Sequence, residues 1–300
     1  MTYLTKEDWT NYLVPKISDD KSFFGHLKEN IKIQNIFIRL IYKLLNSEKT
    51  THNILFQRLL ISSMIYFHKY ILFNNITYSD LSSLDKLITF CSCIFLALKS
   101  ANKLIHLNLF AEKFRPFFNK FHNFEIEEIK DLIIKKEFDI LLSIDFNVDI
   151  DWPYNILNTL KNYLKKLDKG NESIARIINY VNLNINDSIL FPLCLYYTPN
   201  EIVFSCILLA KEKYKLDYIN INDLFKLNKY QIDNDNINEC TLYITKIIKY
   251  KNDILELESN RDIVVDNTNK TSEHTYFDNN NNSKDNLNFR NISLIKTNSN

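Results

Sequence analysis

The chain has 300 residues, of which 46% are apolar and 24% charged, and its net charge is +1 at pH 7. A charge so close to neutral argues against a surface specialised for nucleic acid or for membranes. Only two glycines, Gly25 and Gly170, and five prolines are present, which excludes glycine-rich phosphate loops and favours long helices over a β-rich fold.

The first half of the chain predicts a short N-terminal segment and then five helices. Residues 1–30 are expected to form one short helix followed by a polar loop. In the helices that follow, apolar residues recur at the three- and four-residue spacing of an amphipathic helix. These helices are expected at about residues 31–45, 52–73, 79–99, 104–118 and 125–143.

The third of these helices is the most apolar stretch of the chain. From Leu87 to Leu98 apolar residues occupy nearly every face. A helix of this kind belongs in the middle of a bundle and not at its edge. It closes on Lys99, which we expect to mark the place where a partner outside the chain docks.

The second half repeats this organisation. Five further helical segments are expected at about residues 154–167, 172–190, 199–215, 221–228 and 236–257. The sequence therefore predicts an all-α fold of two tandem five-helix repeats, the first at residues 31–145 and the second at residues 152–257. Asn, Ser, Thr, Asp and Lys dominate residues 258–300, which predicts a disordered tail.

Cysteine and histidine usage bears on compartment and on cofactors. Five cysteines, an odd number, and no recognisable signal peptide favour a reducing compartment, the nucleus or the cytoplasm. No spacing resembles a metal site and no cofactor is expected. His68 lies on an apolar helix and is interpreted as a satisfied core histidine. The longest apolar run, residues 87–98, is shorter than the roughly 20 residues of a membrane span.

Two charged residues interrupt the apolar stripes of the third and fifth helices. Lys99 lies one turn after Phe95 on the first stripe. Glu137 lies one turn after Ile133 on the second stripe. Because an unpaired charge on a buried face is costly, one solution is that Lys99 and Glu137 meet at one end of the bundle. The alternative is that both side chains reach solvent at helix ends while their stems stay buried.

Four stretches resemble characteristic runs of the cyclin family, in particular the transcriptional cyclins of the T, K and L type. IYFHKYILF at residues 65–73 resembles their IYFHRFY run, and CIFLALK at residues 93–99 resembles C-x-FLA-x-K. Residues 137–154 resemble the stretch that closes the first cyclin box and opens the second. NDSILFPLCLYYTP at residues 186–199 resembles N-D-S followed by LCLQY-x-P. This resemblance covers about residues 9–257 and implies one cyclin box in each repeat.

The resemblance also implies a binding surface. In cyclins, the residues that match Lys99 and Glu137 hold the C-helix of the partner kinase through its backbone. The apolar part of the same surface is implied to be Leu96, Leu141, Phe146 and Val148. For these four an ordinary core position is the open alternative. The sequence departs from the family at Leu98, where a small residue is usual, and at residues 100–102, where Ser-Ala-Asn replaces Val-Glu-Glu.

The function implied by the resemblance is that of a non-catalytic regulatory subunit. Such a subunit forms a heterodimer with a cyclin-dependent kinase, activates it allosterically and takes part in transcription. One alternative is a cyclin-fold adaptor that resembles the core of the general transcription factor TFIIB and has no kinase partner, although the near-zero charge argues against DNA binding. Another is a scaffold that has lost kinase binding. The bias towards Asn, Lys, Ile, Phe and Tyr further indicates an AT-rich genome, as in protozoa.

Overall fold

The computed structural model describes residues 20–45, 54–103, 105–150, 154–166, 171–216 and 233–270. Within these residues the regular secondary structure is entirely helical, as predicted. The first half contains α1 (Asp20–Leu45), α2 (Ile54–Phe73), α3 (Ser83–Ser100), α4 (Leu107–Phe118) and α5 (Ile126–Ser143). The second half contains α6 (Tyr154–Lys166), α7 (Asn171–Ser188), α8 (Pro199–Tyr214) and α9 (Asn234–Lys270). Short 3₁₀ helices lie at Tyr78–Asp80 and Pro192–Leu195.

Two clusters of buried apolar side chains correspond to the two helical repeats. Side chains of α2, α3, α4 and α5 form most of the first cluster, and side chains of α6, α7, α8 and α9 form most of the second. Helix α1 contributes to both clusters. The two-repeat architecture is therefore confirmed, while the helix predicted at residues 221–228 lies outside the described residues.

Helix α1 begins at Asp20 and not near residue 31, so the prediction of a polar loop is wrong for residues 20–30. The short helix predicted before that loop lies outside the described residues. Few residues between 20 and 30 show the apolar spacing that predicts a helix. Phe23 and Leu27 are one turn apart, and both are fully buried. Gly25 lies between them on the exposed side and weakens the helical pattern. Burial of the two large side chains outweighs the cost of about 1 kcal/mol that a glycine brings to a helix.

Helix α3 is the central helix, as predicted, and every side chain from Leu87 to Leu98 is buried. It makes extensive contacts with α2 and α5. Its start lies later than expected, because Ser82 is the N-cap and its hydroxyl accepts a hydrogen bond from the Asp85 N–H at 3.1 Å. Residues 79 and 80, with which the predicted helix began, belong instead to the separate 3₁₀ helix Tyr78–Asp80.

Among the residues that the structure describes, four helices are followed by a residue in the left-handed conformation that glycine usually occupies at this place. These residues are Asn75 after α2, Asn102 after α3, Asp145 after α5 and Lys215 after α8, with φ between 49° and 53°. In each case the next N–H donates to the carbonyl five residues earlier, with N···O distances of 2.8 to 3.1 Å. In this chain with two glycines, these four helices therefore end with asparagine, aspartate or lysine.

Helix α9 continues past residue 257, the predicted end of the second repeat. It runs to Lys270, so the predicted start of the tail at residue 258 falls inside a helix. Residues 271–300, which make up the rest of the predicted tail, lie outside the described residues. Across the described ranges, no helix combines the length and the apolar character that crossing a membrane requires.

Candidate functional site

Lys99 and Glu137 form an ion pair where the C-terminal end of α3 meets α5. Lys99 Nζ lies 2.7 Å from Oε1 and 2.8 Å from Oε2 of Glu137, so the ammonium donates to both carboxylate oxygens. The Glu137 side chain is 7% exposed, whereas that of Lys99 is 49% exposed. The ammonium also lies 4.5 Å from the centroid of the Phe95 ring, a favourable cation–π distance. Of the two alternatives that the sequence left open, the structure shows the one in which the two charges meet, while half of the lysine side chain still reaches solvent.

The packing of α5 on α3 directs Glu137 towards Lys99. Ile133 and Ile140 are fully buried in the first core and fix which face of α5 points inward. Glu137 lies between them on that face, since it follows Ile133 by four residues and precedes Ile140 by three. The hydroxyl of Ser92 on α3 donates to the Ile133 carbonyl at 3.1 Å. This small side chain holds the two helices close together near the pair.

The four apolar residues implied by the resemblance fall into three environments. Leu96 is 3% exposed within the first core, which leaves it no surface for direct contact with a partner. Leu141, one turn after Glu137 on α5, and Val148 are partly buried against the same core. Phe146 is 55% exposed. Of these four residues, Phe146 therefore exposes the largest fraction of its surface to solvent. Leu96 occupies an ordinary core position.

The segment that follows α5 is fixed by its backbone and by Tyr66. Asp145 and Phe146 both have positive φ, 51° and 54°, and the Phe146 N–H donates to the Leu141 carbonyl at 2.8 Å. The Tyr66 hydroxyl on α2 donates to the Val148 carbonyl at 2.8 Å. Burial raises the pKa of Tyr66 to about 12, so the hydroxyl keeps its proton at neutral pH. The stretch that carries Phe146 and Val148 is thereby held against the first repeat.

Three further apolar residues of α5 are exposed to solvent, and none of them belongs to the surface that the resemblance implies. Ile134, Phe138 and Leu142 follow one another at one-turn spacing, with 49%, 54% and 54% of each residue exposed. We call these three residues the α5 strip. The Phe138 ring contacts the Phe146 ring edge to face, with centroids 6.2 Å apart. In the sequence, these three residues form a second row of apolar residues that recur every four positions. This row lies on a different side of α5 from the buried stripe that includes Ile133.

Leu98 and residues 100–102, where the sequence departs from the cyclin pattern, lie at the C-terminal end of α3. Leu98 is buried in the first core, so its side chain does not project beside Lys99. The Ser100 hydroxyl donates to the Ala97 carbonyl at 3.0 Å. Asn102 has a φ of 53° and closes α3. These residues therefore pack into the core or terminate the helix that carries the lysine.

The remaining titratable candidates are structural. His68 is buried, and its Nε2 lies 3.1 Å from the Ile189 carbonyl oxygen, which confirms its interpretation as a satisfied core histidine. Burial lowers the pKa of His68 to about 4. All five cysteines are free thiols whose pKa values are raised by burial. Among the residues that the structure describes, no group of three or more His, Cys, Asp and Glu side chains could hold a metal ion.

Comparison with protein-family models gives no match, and none of the curated proteins matches either. Among solved structures, a chain of the yeast TFIIK complex (Kin28/Ccl1/Tfb3) is similar with a TM-score of 0.53 and 20% identity, over 81% of this chain and 96% of that chain. A chain of the yeast RNA Pol II CTD kinase CTDK-1 complex is similar with a TM-score of 0.54 and 13% identity, over 81% of this chain and 72% of that chain. At these identities the likeness shows the fold alone, which is the cyclin fold.

Proposed function

We propose that this chain is a regulatory subunit of the cyclin type, which binds a cyclin-dependent kinase as a heterodimer and activates it. The observation that carries the proposal is the ion pair between Lys99 and Glu137. Both residues match the cyclin positions that hold the kinase C-helix. The exposed ring of Phe146 and the partly buried Leu141 and Val148 add apolar contacts to the same surface.

The geometry of the pair suits the recognition of a backbone. An ammonium has three N–H donors and a carboxylate has about four acceptor positions. Two contacts of Lys99 go to Glu137, and the half-exposed lysine keeps a further donor for a partner. The ends of a helix present unsatisfied carbonyl and N–H groups. A pair already held in place can therefore bind a helix end of a kinase without depending on its side chains.

The proposed mechanism is allosteric. When the C-helix of a kinase is held inward, its glutamate pairs with the lysine that contacts the phosphates of ATP, and the activation loop can be ordered. By binding only that arrangement, the chain shifts the kinase towards its active state. On this proposal no group of this chain takes part in phosphoryl transfer.

A kinase of the transcription apparatus is the partner that we favour. The four sequence motifs resemble those of transcriptional cyclins. The two similar solved chains belong to yeast complexes named TFIIK and RNA Pol II CTD kinase CTDK-1. We therefore propose that the chain acts in the nucleus and that its kinase phosphorylates the C-terminal domain of RNA polymerase II.

The test is to purify the tagged full-length chain from its own cells and to identify the co-purifying kinase by mass spectrometry. Lys99→Glu and Glu137→Ala are each expected to abolish co-purification and kinase activation. Circular dichroism and urea unfolding of the isolated variants check that the chain remains folded. Lys161→Glu, on the exposed side of α6, makes the same charge change elsewhere and should leave binding unchanged.

A charge-swapped variant separates binding from a purely structural role. Lys99→Glu combined with Glu137→Lys keeps an ion pair but exchanges donor and acceptor. It should recover much of the folding stability lost in the single variants and still fail to bind the kinase. If both single variants bind and activate a kinase normally, the site assignment is wrong. Strong, salt-dependent retention on DNA with no kinase bound would favour the TFIIB-like adaptor instead.

A further inference from the structure

The two repeats correspond to each other position by position around their central helices. In each repeat, a serine of the central helix donates to the carbonyl of an isoleucine on the last helix. The donor is Ser92 for Ile133, at 3.1 Å, and Ser205 for Ile237, at 3.0 Å. Ten residues after each serine comes the left-handed residue that follows the central helix. These two features align α3 with α8 and α5 with α9.

In the first repeat, the side of α2 that carries Tyr66 and Lys69 is covered. The Tyr66 hydroxyl donates to the carbonyl of Val148, in the segment 144–150 that follows α5, and Tyr66 is 1% exposed. Lys69 lies one turn further along α2, beside Cys194 of the second repeat, and is 4% exposed. The segment after α5 and the second repeat together therefore keep this side of α2 from solvent.

Tyr180 on α7 occupies the place that Tyr66 has on α2. Tyr66 lies beside the residue that comes eight positions after the serine of α3, and Tyr180 lies beside the residue at the same position of α8, which is Lys213. The Lys213 ammonium is 4.0 Å from the centroid of the Tyr180 ring. Leu183, three residues after Tyr180, then matches Lys69. Leu183 is 60% exposed, so this side of α7 is open where the same side of α2 is closed.

Two features of the fold leave this side of α7 uncovered. Residues 248–254, which correspond to the segment 144–150, do not leave the helix but continue α9. They pack against α1, where the centroid of the Tyr250 ring lies 5.7 Å from that of Phe23. Within the described residues, no third repeat packs on α7 in the way that the second repeat packs on α2. The second repeat thus exposes the kind of face that is covered in the first.

Aromatic, apolar and basic side chains meet on this open side. The Tyr214 ring contacts the Tyr180 ring edge to face, with centroids 5.6 Å apart, and Tyr214 is 36% exposed. We call the four residues that form this surface the α7–α8 face: Tyr180, Leu183, Lys213 and Tyr214. The exposed Lys215 adds a second positive charge. Glu212 lies two turns after Ser205, on the side of α8 that faces α9, which leaves the α7–α8 face with a positive charge.

The segment that fills the equivalent place in the first repeat indicates the chemistry of an occupant. Its sequence, IDFNVDI at residues 144–150, alternates apolar and polar side chains and includes two aspartates. Val148 and Ile150 pack against the first core, and the Val148 carbonyl accepts the hydrogen bond from Tyr66. The hydroxyl of Tyr180 offers the same donor on the second repeat. An occupant there can therefore combine a backbone acceptor, apolar side chains and negative charge.

We propose that the α7–α8 face binds an extended segment of a partner protein in which acidic and apolar residues alternate. The apolar side chains of that segment contact Leu183 and Tyr214, and its carboxylates pair with Lys213 and Lys215. The α7–α8 face belongs to the second repeat and shares no residue with the ion-pair site. The proposal therefore does not depend on kinase binding.

The test titrates a fluorescently labelled peptide of residues 144–150 with the full-length chain and measures its anisotropy. The chain's own segment already occupies the first repeat, so the peptide is expected on the α7–α8 face, with a Kd below about 100 μM. Lys213→Glu combined with Leu183→Gln should weaken binding by about tenfold or more. The control combines Lys161→Glu on α6 with Leu109→Gln on α4, both exposed, and should bind like the wild-type chain. Circular dichroism checks that both variants are folded.

A second peptide, which carries Asp145→Asn and Asp149→Asn, tests the charge of the segment. It should bind about tenfold more weakly than the first peptide, and about 0.5 M salt should reduce this difference, because salt screens exposed charges. Equal binding of the two peptides, equal binding by variant and wild-type chains, or no binding by the wild-type chain at about 100 μM overturns the proposal. A wild-type dimer that dissociates in the Lys213→Glu and Leu183→Gln variant, measured by light scattering, also overturns it, because the face then serves a second copy.

Discussion

Replacing His68 tests whether this buried histidine makes the fold sensitive to acid. Its Nε2 lies 3.1 Å from the Ile189 carbonyl oxygen. A carbonyl only accepts hydrogen bonds, so Nε2 carries the proton of the neutral ring and Nδ1 is the atom that would take up a second one. That second proton would place a charge inside the protein, and burial therefore lowers the pKa of His68 to about 4.

The magnitude follows from the difference between the folded and unfolded pKa values. An unfolded chain binds the proton with a pKa near 6.5, whereas the folded chain binds it near 4. Between these two pH values the unfolded chain therefore binds more protons at His68 than the folded chain does. The free energy of unfolding consequently falls as the pH falls from about 6.5 to about 4. Between pH 7.5 and pH 5 the free energy of unfolding should decrease by about 2 kcal/mol because of this residue alone.

Urea unfolding of the wild-type chain and of His68→Gln at both pH values measures this contribution. Glutamine can still donate an N–H to the Ile189 carbonyl but does not titrate. Carboxylates that titrate at pH 5 affect both proteins equally, so the wild-type chain should lose about 2 kcal/mol more than the variant. Equal losses in the two proteins, or a His68 ring signal that titrates near its ordinary pKa in NMR spectra, would refute the reasoning.

Two further substitutions test the account of the fold by urea unfolding. Gly25→Ala should raise the free energy of unfolding by about 0.5–1 kcal/mol, because a methyl group at this exposed helical position meets no atom within 4 Å; a loss of stability would mean that α1 does not extend through Gly25. Lys251→Ala should lower it by about 2 kcal/mol, because it leaves the mostly buried carboxylate of Asp187 without its partner. The neighbouring exposed Lys249→Ala is the control, and equal effects of the two lysine variants would contradict this role of the pair.

Much of the fold could be predicted because its helices carry regular apolar spacing. The central helix of the first repeat could be identified from the sequence, because a helix as apolar as Leu87–Leu98 has to be buried inside a bundle. The beginning of α1 could not be predicted locally, because Phe23 and Leu27 are buried by the second repeat, far away in sequence. Helix ends were also uncertain, since asparagine, aspartate and lysine take the place of the usual glycine signal.

The candidate site could be predicted in part for a similar reason. Lys99 and Glu137 stood out because each places a charge on an apolar stripe, and pairing is the physical remedy for that cost. The resemblance added Leu96 and Phe146 without distinguishing a buried residue from an exposed one. Exposure depends on which neighbouring helices cover a side chain, so the α5 strip became recognisable only in the folded chain.

Helix α1 determines how this protein can be divided. Its N-terminal half fills the second core and its C-terminal half fills the first, so neither repeat keeps a complete interior without it. A fragment that starts at residue 31 would remove Phe23 and Leu27 from a repeat that begins more than a hundred residues later. Although each repeat has its own core, the two should melt in a single cooperative transition, because each needs helix α1 to fold.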